Sequence, residues 1–283
     1  MNVDLDTVRE VVLARERADL AQVGASTAVL AGGTFLFSEP QDRLDRLIDI
    51  TTLGWPALRA HPDGLEIAAT CTLAEFAGAG PGRELGMATM RPDWPGTALF
   101  ALSCRALLAS HKIWRTATVG GNVCLSLPAG AVLGALVALD ATVVIWPRGG
   151  GERSIPLRDF VTGPGENILA TGAVVRSFLV PTASLLSRTS FRKIALAPLG
   201  RSGAVVMGRR EPGGRCAITV TASTVRPVVL DFDCAPAEFD LAVALAELEP
   251  ELWFDDPHGA PDWRAHVTGL LAAEVAAELR GLS

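Results

Sequence analysis

The sequence has no tyrosine, only four histidines and no long run of lysine or arginine, and its formal net charge is −6. Proteins that bind nucleic acids depend on clustered positive charge to neutralise phosphates. The densest basic group here is Arg209, Arg210 and Arg215, which flanks the sequence EPGG and is typical of a solvated β-hairpin tip. We therefore expect no nucleic-acid partner.

The cysteines and histidines are too scattered to predict a metal site. No CxxC pair and no HExxH motif is present. We interpret the cysteines as reduced, small hydrophobic side chains. The residues concerned are Cys71, Cys104, Cys124, Cys216 and Cys234, with His61, His111, His258 and His266.

Membrane-directing segments are also missing. Residues 1–21 carry acidic side chains and no continuous apolar core, unlike a secretory signal. Residues 116–139 are uncharged, but Gly120, Gly121 and Pro128 interrupt them and would leave backbone groups unpaired in lipid. We expect a cytoplasmic protein without a membrane partner, and a buried loop and helix in this stretch.

The chain is long enough for two or three modules that share an interface, since it has 283 residues, of which 49% are hydrophobic. We predict three units, at residues 1–54, 55–181 and 182–283. In the first unit, apolar residues at helical spacing predict a helix over residues 7–22. With strands at STAVL and RLIDI, this helix would form a small β-α-β unit.

The second and third units differ in texture. The second unit contains the apolar helices TALFALSCRALLAS and AVLGALVAL, the strand ATVVIW, and a strand that leads into Pro181. The third unit is rich in strands, with GAVVMGRR and RCAITVTAS joined by a turn, and three acidic helices complete it. Composition and pattern therefore predict a packed α/β or α+β protein.

Two glycine bends are the most informative local features: LAGGTF at residues 30–35 and TVGGN at 118–122. Glycine lets successive backbone N–H groups turn toward one point, and such a concavity holds an anion. Thr34 and Asn122 add polar side chains that could grip a phosphate. Neither bend matches G-x-G-x-x-G, and no G-K-[ST] follows a glycine loop, so Rossmann and P-loop sites are not indicated.

Several motifs, in order, resemble the FAD-binding medium subunit of the molybdenum hydroxylases, the family of xanthine, carbon monoxide and nicotine dehydrogenases. The resemblance runs nearly end to end. It implies an α+β fold in which a C-terminal antiparallel sheet with helices follows a two-lobed, FAD-binding PCMH-like α/β domain. LAGGT and ATVGGNV look like the family's two flavin loops. The other similar segments are LIDITTL at residues 47–53, DGLEIAATCTLAEF at 63–76, LGALVALDATV after the second bend, and IPLRDFVTGP at 155–164.

The resemblance implies which residues contact FAD. Gly32, Gly33 and Thr34 would bind the pyrophosphate side, and the second bend would form the facing wall. Ser126 could supply a substitute acceptor, because Ala131 replaces the family's aspartate. The full implied set is Leu30, Ala31, Gly32, Gly33, Thr34, Phe35, Leu36, Thr118, Gly121, Asn122, Ser126, Val174, Val175 and Lys193.

The resemblance also implies partners and a role. A molybdopterin-binding large subunit would oxidise substrate, a 2Fe-2S small subunit would carry electrons to FAD, and this chain would pass them to NAD, oxygen or a quinone. Trp114 and Arg115 replace the family's Arg-Asn pair, and Ala197 and Arg201 replace its Arg and Asp in the third unit. These departures leave two alternatives open: a stand-alone FAD-dependent oxidoreductase of a small metabolite, or a degenerate binding module without flavin. No side chain is predicted to act as a catalytic acid, base or nucleophile.

Overall fold

The computed structural model describes residues 5–78 and 94–281, and its strands form three larger sheets that follow one another along the chain. The architecture is α+β, as predicted. Each larger sheet takes its strands from one of the three predicted units. The division at residues 54/55 and 181/182 stays a prediction, and residues 1–4 and 282–283 of the outer units lie outside the described part of the chain.

The first sheet is parallel and has three strands in the order β1-β3-β2. The strands are β1 (Glu10–Leu13), β2 (Thr27–Leu30) and β3 (Arg46–Asp49). The predicted helix over residues 7–22 is wrong, because this stretch forms β1 and then a 3₁₀ helix at Arg17–Gln22. The β-branched Val11 and Val12 pair with Leu47 and Ile48 of β3, and this long-range pairing overrides the helical spacing.

The second sheet is antiparallel, with five strands in the order β4-β5-β10-β6-β7. Its strands are β4 (Leu58–His61), β5 (Gly64–Ala68), β6 (Thr142–Trp146), β7 (Arg153–Pro156) and β10 (Val174–Pro181). A two-stranded ladder, β8 (Val161–Gly163) with β9 (Glu166–Asn167), lies between β7 and β10 in sequence. The strands predicted at ATVVIW and before Pro181 are therefore confirmed.

In the described part of the chain, six helices accompany this sheet. They are α1 (Leu73–Gly78), α2 (Ala98–Ala106), α3 (His111–Thr116), α4 (Val119–Cys124), α5 (Ala131–Ala138) and α6 (Thr182–Leu185). Short 3₁₀ turns occur at Thr51–Leu53, Pro95–Thr97 and Leu157–Asp159. All eight residues of α5 are buried, as its apolar sequence predicts. This helix packs between α2, α4 and the third sheet, so it lies in the largest hydrophobic cluster.

The third sheet is an antiparallel meander covered by a long helix. It contains β11 (Arg188–Ile194), β12 (Ala204–Arg210), β13 (Cys216–Thr221) and β14 (Val228–Phe232). α7 (Glu238–Ala246), a 3₁₀ turn at Pro250–Leu252 and α8 (Pro261–Arg280) complete the chain, so the second of the three predicted C-terminal helices is only a turn. α8 packs on β11 and β12 and closes a second hydrophobic cluster.

The hairpin between β12 and β13 is confirmed, but one of its arginines is not solvated. The Glu211 N–H donates to the Arg215 carbonyl at 2.8 Å, which closes the turn. Arg209, in contrast, is buried, and its guanidinium donates to the Ser184 hydroxyl and lies 3.4 Å from the Glu211 carboxylate. Arg209 is buried although it lies close to the turn in sequence, because its side chain extends from β12 toward Ser184 and not toward solvent.

Candidate functional site

A cavity of about 640 Å³ lies between the first sheet and the helices of the second, and both glycine bends form its wall. Most of the residues predicted to contact a ligand line it. These are Leu30, Ala31, Gly32, Gly33, Thr34, Phe35, Leu36, Thr118, Gly121, Asn122, Val174 and Val175. We call this cavity the cleft.

At Gly32, the first bend touches the segment that leads into the second bend. A Cβ atom built on Gly32 would overlap the carbonyl oxygen of Thr116, and would lie 3.0 Å from the Cα atom of Ala117. A glycine is therefore required at this position for the first bend to rest on the segment that leads into the second. Residues that are more than 80 positions apart in sequence thus form one continuous wall.

The first bend presents a row of free backbone donors. Gly33 has φ = +66°, which turns the chain sharply after β2, and its carbonyl accepts the Phe37 N–H at 2.9 Å. Among the described residues, none accepts a hydrogen bond from the backbone N–H groups of residues 31–36. Buried or half-buried N–H groups without a partner are costly, so this row is suited to a ligand that accepts hydrogen bonds.

The second bend is built differently from the prediction. It is the first turn of α4, and its N–H groups already have acceptors: Val119 donates to the Cys71 carbonyl, Gly120 to the Ala69 carbonyl, and Gly121 to the Thr118 hydroxyl. An anion cradle of backbone N–H groups is therefore wrong for this bend. Gly120 serves close packing instead, because a Cβ atom there would lie 2.6 Å from the Ala69 Cβ.

Asn122 faces both the cleft and α5. Its Oδ1 atom accepts the Leu133 N–H at 3.2 Å, close to the N-terminus of α5, which has no side-chain cap of its own. Because an N–H can only be met by the amide oxygen, the Asn122 amide is oriented, and its NH₂ group is the part left for a ligand. The side chain can therefore donate hydrogen bonds to the cleft through its NH₂ group, because its Oδ1 atom is engaged with the Leu133 N–H.

Two predicted residues lie away from the cleft wall. The Ser126 hydroxyl is buried, donates to the Val123 carbonyl at 3.1 Å and accepts a hydrogen bond from the Asn167 amide at 3.0 Å. It is therefore turned toward β9 and does not replace an acid at Ala131, which is itself buried in the first turn of α5. Lys193 lies on β11 of the third sheet and is likewise not in the wall.

The rest of the wall is apolar and comes from helices that carry no motif. No charged side chain lines the cleft among the described residues. Burial raises the pKa of the Cys124 thiol to about 12, so this group is neutral as well. Residues that the sequence did not indicate are Val29, Ile50, Ala69, Leu73, Leu107, Ala109, Ile113, Ala117, Gly120, Cys124, Leu125, Leu127, Leu169 and Ala173.

A second cavity, of about 410 Å³, adjoins the cleft on the other side of the first bend. The two cavities share Ala31, Gly32 and Thr118, so the bend forms a partition between them. The second cavity is more polar, and its wall includes Trp55, Glu75 and Arg115 together with four threonines, at positions 51, 70, 72 and 116.

An apolar cleft of this size, with a row of free N–H donors and a few oriented polar groups, is suited to a ligand with ring systems and phosphates. Fold and site together therefore define a nucleotide-cofactor-binding protein of a non-Rossmann type. The chain belongs to a known family of this class, the FAD-binding domain in molybdopterin dehydrogenase, whose model matches residues 8–183. The cofactor of this family is FAD, as predicted.

Known proteins similar to this chain include the nicotinate dehydrogenase FAD-subunit of Eubacterium barkeri, which is 27% identical over 175 residues. That alignment spans 59% of this chain and 55% of the relative. CO dehydrogenase from Oligotropha carboxidovorans has a chain of the same fold, with a TM-score of 0.79, 18% identity, and 97% and 98% of the two chains covered. Quinoline 2-oxidoreductase from Pseudomonas putida 86 gives 0.74, 18%, 97% and 98%.

Two kinds of feature are absent from the described residues. No group of three or more His, Cys, Asp or Glu side chains is placed there to hold a metal ion. No helix in residues 5–78 and 94–281 is both long and apolar enough to cross a membrane.

Proposed function

We propose that this chain is the FAD-carrying electron-transfer subunit of a molybdenum hydroxylase. It would receive electrons from the 2Fe-2S clusters of a small subunit and pass them to NAD, oxygen or a quinone, while a molybdopterin-binding large subunit oxidises the substrate. The observation that carries the proposal is the row of free N–H groups at residues 31–36, set against Thr118 and Asn122 across an apolar cleft. We place the complex in the cytoplasm.

The residues present fit FAD. The N–H groups of residues 31–36 and the Thr34 hydroxyl are the donors for a pyrophosphate, and the Asn122 NH₂ group adds a donor from the opposite wall. Leu107, Ile113 and Val175 offer apolar surfaces for ring systems. When bound, FAD supplies the chemistry of accepting electrons singly and releasing them in pairs.

The cleft holds its ligand without a charged side chain, which has a consequence for binding. Cation–phosphate attraction is screened by salt, whereas short hydrogen bonds from fixed N–H dipoles are screened little. We therefore expect the FAD affinity to change less than about threefold between 50 mM and 500 mM salt, because salt screens partly buried contacts only weakly.

Electron transfer also agrees with what the wall does not offer. Proton-transfer chemistry needs a titratable group within hydrogen-bond reach of the reacting atom. In the described part of the cleft wall, the only titratable side chain is Cys124, whose raised pKa keeps it protonated. The chain can bind and orient a cofactor there, and no described side chain of the cleft wall is suited to acid–base chemistry on a substrate.

The purified chain tests this proposal directly. We expect it to carry flavin absorption bands, or, once stripped, to bind added FAD with a dissociation constant of micromolar or lower. Tagged chain expressed with its neighbouring genes is expected to copurify with a large and a small subunit. Absence of FAD binding would contradict the cofactor assignment, and isolation as a single chain with FAD would contradict the assembly.

The second, polar cavity favours one alternative, a stand-alone flavoenzyme that acts on a small metabolite. Arg115 and Glu75 give this cavity charge of both signs next to the first bend. Turnover of candidate metabolites by the isolated, FAD-loaded chain, with oxygen or a dye as acceptor, would support this alternative. Electron transfer only in the presence of the other subunits would exclude it.

A further inference from the structure

Arg176 occupies an unusual place at the junction between the first sheet and the cleft. Its guanidinium lies 4.2 Å from the centroid of the Trp55 ring and 5.7 Å from that of Trp146. The two indoles meet edge to face, with centroids 5.3 Å apart and an interplanar angle of 85°. The guanidinium of Arg17, in the 3₁₀ helix after β1, lies 4.6 Å from the centroid of the Trp146 ring. We call Arg176, Trp55 and Trp146 the aromatic clamp.

The backbone of Arg176 is part of the cleft wall's support. Residue 176 is where β10 shifts register against β6, directly after the cleft residues Val174 and Val175. The Arg176 carbonyl accepts the Ala69 N–H at 3.0 Å, and the Ala69 carbonyl accepts the Gly120 N–H at 2.9 Å. A short chain of hydrogen bonds therefore runs from the bulge to the first turn of α4.

The aromatic clamp also reaches the first bend. Trp55 and Trp146 pack against a third hydrophobic cluster, which contains Ile48 of β3 and Val174 of β10. Ala31 of the first bend packs against the same cluster. Both walls of the cleft are thus connected to Arg176: one through the indoles, the other through its carbonyl. Arg176 itself lines neither cavity.

The charge of Arg176 is not held by ordinary hydrogen bonds. Its Nη1 atom is buried without a hydrogen-bond partner among the described residues, and the nearest carboxylate oxygen, of Glu66, is 3.9 Å away. Desolvation lowers the pKa of Arg176 from its ordinary value. Cation–π attraction is strongest for such desolvated guanidinium groups, so the indoles are partners of this group together with the Glu66 carboxylate.

We propose that Arg176 is a positioning residue for the flavin: its cation–π contact with Trp55 sets the distance between the two cleft walls. This inference rests on the proposed function, since it requires FAD to bind between those walls. A merely structural arginine would change the stability of the fold, whereas a positioning arginine changes FAD affinity and the local mobility of α4 without unfolding the protein.

The test compares Arg176→Met and Arg176→Lys with the wild-type chain, stripped of FAD. Titration with FAD is expected to give a dissociation constant about tenfold higher for both variants, because neither side chain stacks on an indole as guanidinium does. Hydrogen exchange of the Gly120 amide is expected to be several-fold faster, while that of Val206 on β12 is unchanged. Lysine keeps the charge beside Glu66, so the Lys variant keeps the proposal testable if the Met variant fails to fold.

Arg158→Met is the matched control. Arg158 donates to Asp140 and Asp231 at 2.9 and 2.8 Å, away from the cleft, so its loss is expected to lower the melting temperature and leave FAD affinity unchanged. FAD affinity of Arg176→Lys within twofold of wild type would overturn the inference. If the wild-type chain binds no FAD, the proposed function fails and the inference with it.

Discussion

Gly32 is the residue on which the contact between the first bend and the segment before the second bend depends. A side chain there has no space beside the Thr116 carbonyl, and the nearby atoms belong to backbone that cannot move aside easily. We expect Gly32→Ala to push the bends apart and raise the FAD dissociation constant about 100-fold, equivalent to one or two lost hydrogen bonds to a charged group. Fluorescence titration with FAD measures this.

The control for Gly32 is Gly213→Ala, in the turn between β12 and β13. A Cβ atom there would meet nothing within 4 Å. This variant is expected to bind FAD like the wild type. If Gly32→Ala binds FAD equally well, this close contact is not needed, and the proposal that FAD binds between the two bends is wrong.

Asn122 allows its two roles to be separated. Asn122→Asp keeps an oxygen for the Leu133 N–H, and a negative charge near the N-terminus of α5 is favourable. The same change removes the NH₂ donor and places a carboxylate opposite the pyrophosphate. We expect the melting temperature of the apoprotein to be unchanged or higher, while the FAD dissociation constant rises at least tenfold. Asn122→Ala loses both roles, so it is expected to lower both the melting temperature and the FAD affinity. Normal FAD binding by Asn122→Asp would show that the amide faces no phosphate.

At the scale of elements, α8 carries a glycine that its helix does not need. Gly269 lies inside this 20-residue helix, and a Cβ atom there would meet nothing within 4 Å. We expect Gly269→Ala to raise the free energy of unfolding by about 0.5–1 kcal/mol, the difference in helix propensity. Urea denaturation monitored by circular dichroism measures this.

Gly134→Ala in α5 is the opposite case and serves as the comparison. There the added Cβ would lie 2.7 Å from the Thr221 Cγ2, between α5 and β13. Overpacking of this kind costs about 1–3 kcal/mol, so this variant is expected to be less stable than the wild type. Equal effects of the two substitutions would mean that α5 does not pack against β13 as closely as described.

The elements predicted correctly are those whose sequence and surroundings agree. α5 is apolar on all sides and is buried on all sides, and β10 and the β12–β13 hairpin have strand-like residues between clear turns. β1 was predicted as part of a helix because spacing within residues 7–22 carries no information about β3, its partner more than 30 residues away. Such long-range pairing decides short β-branched segments.

The candidate site shows the same limit at finer detail. The glycines of the first bend correctly predicted free N–H donors, because the conformation of this bend depends on neighbouring residues in the sequence. The glycines of the second bend predicted the same, but Gly120 is needed for packing against Ala69, which only the tertiary structure reveals. The apolar wall residues Leu107 and Ile113 lie on segments with no distinguishing pattern, so only the folded arrangement brings them to the cleft.

For the whole molecule, the buried thiols predict how stability depends on pH. Burial raises the pKa of Cys104 to about 12 and that of Cys216 to about 11, and it raises that of Cys71 well above its usual value. Cys71 and Cys104 belong to the largest hydrophobic cluster and Cys216 to that of the third sheet. Ionisation of any of them in place would put a charge into a core, so the folded protein keeps them protonated.

The unfolded chain ionises these thiols near pH 8.5 to 9, well before the folded protein does. Below that range the thiols are protonated in both the folded and the unfolded state, so their burial stabilises the folded protein fully. Above it, the thiols of the unfolded chain lose their protons first, and the unfolded state is favoured. We expect the free energy of unfolding to be flat between pH 7 and 8, and to fall by roughly 1–2 kcal/mol per buried thiol by pH 10. Cys124, whose pKa burial also raises to about 12, contributes in the same direction. The chain has no tyrosine and only two lysines, Lys112 and Lys193, so few other groups titrate in this window. Urea unfolding at each pH in the presence of a reductant measures the slope.

The control is Cys104→Ala, which is expected to be less stable than the wild type at pH 7. Between pH 7 and pH 10, its free energy of unfolding is expected to fall less than that of the wild type, by the contribution of one thiol. A free energy of unfolding that does not change between pH 8 and 10.5 would mean that the thiols are not shielded from water, and that the packing of both clusters differs from the one described.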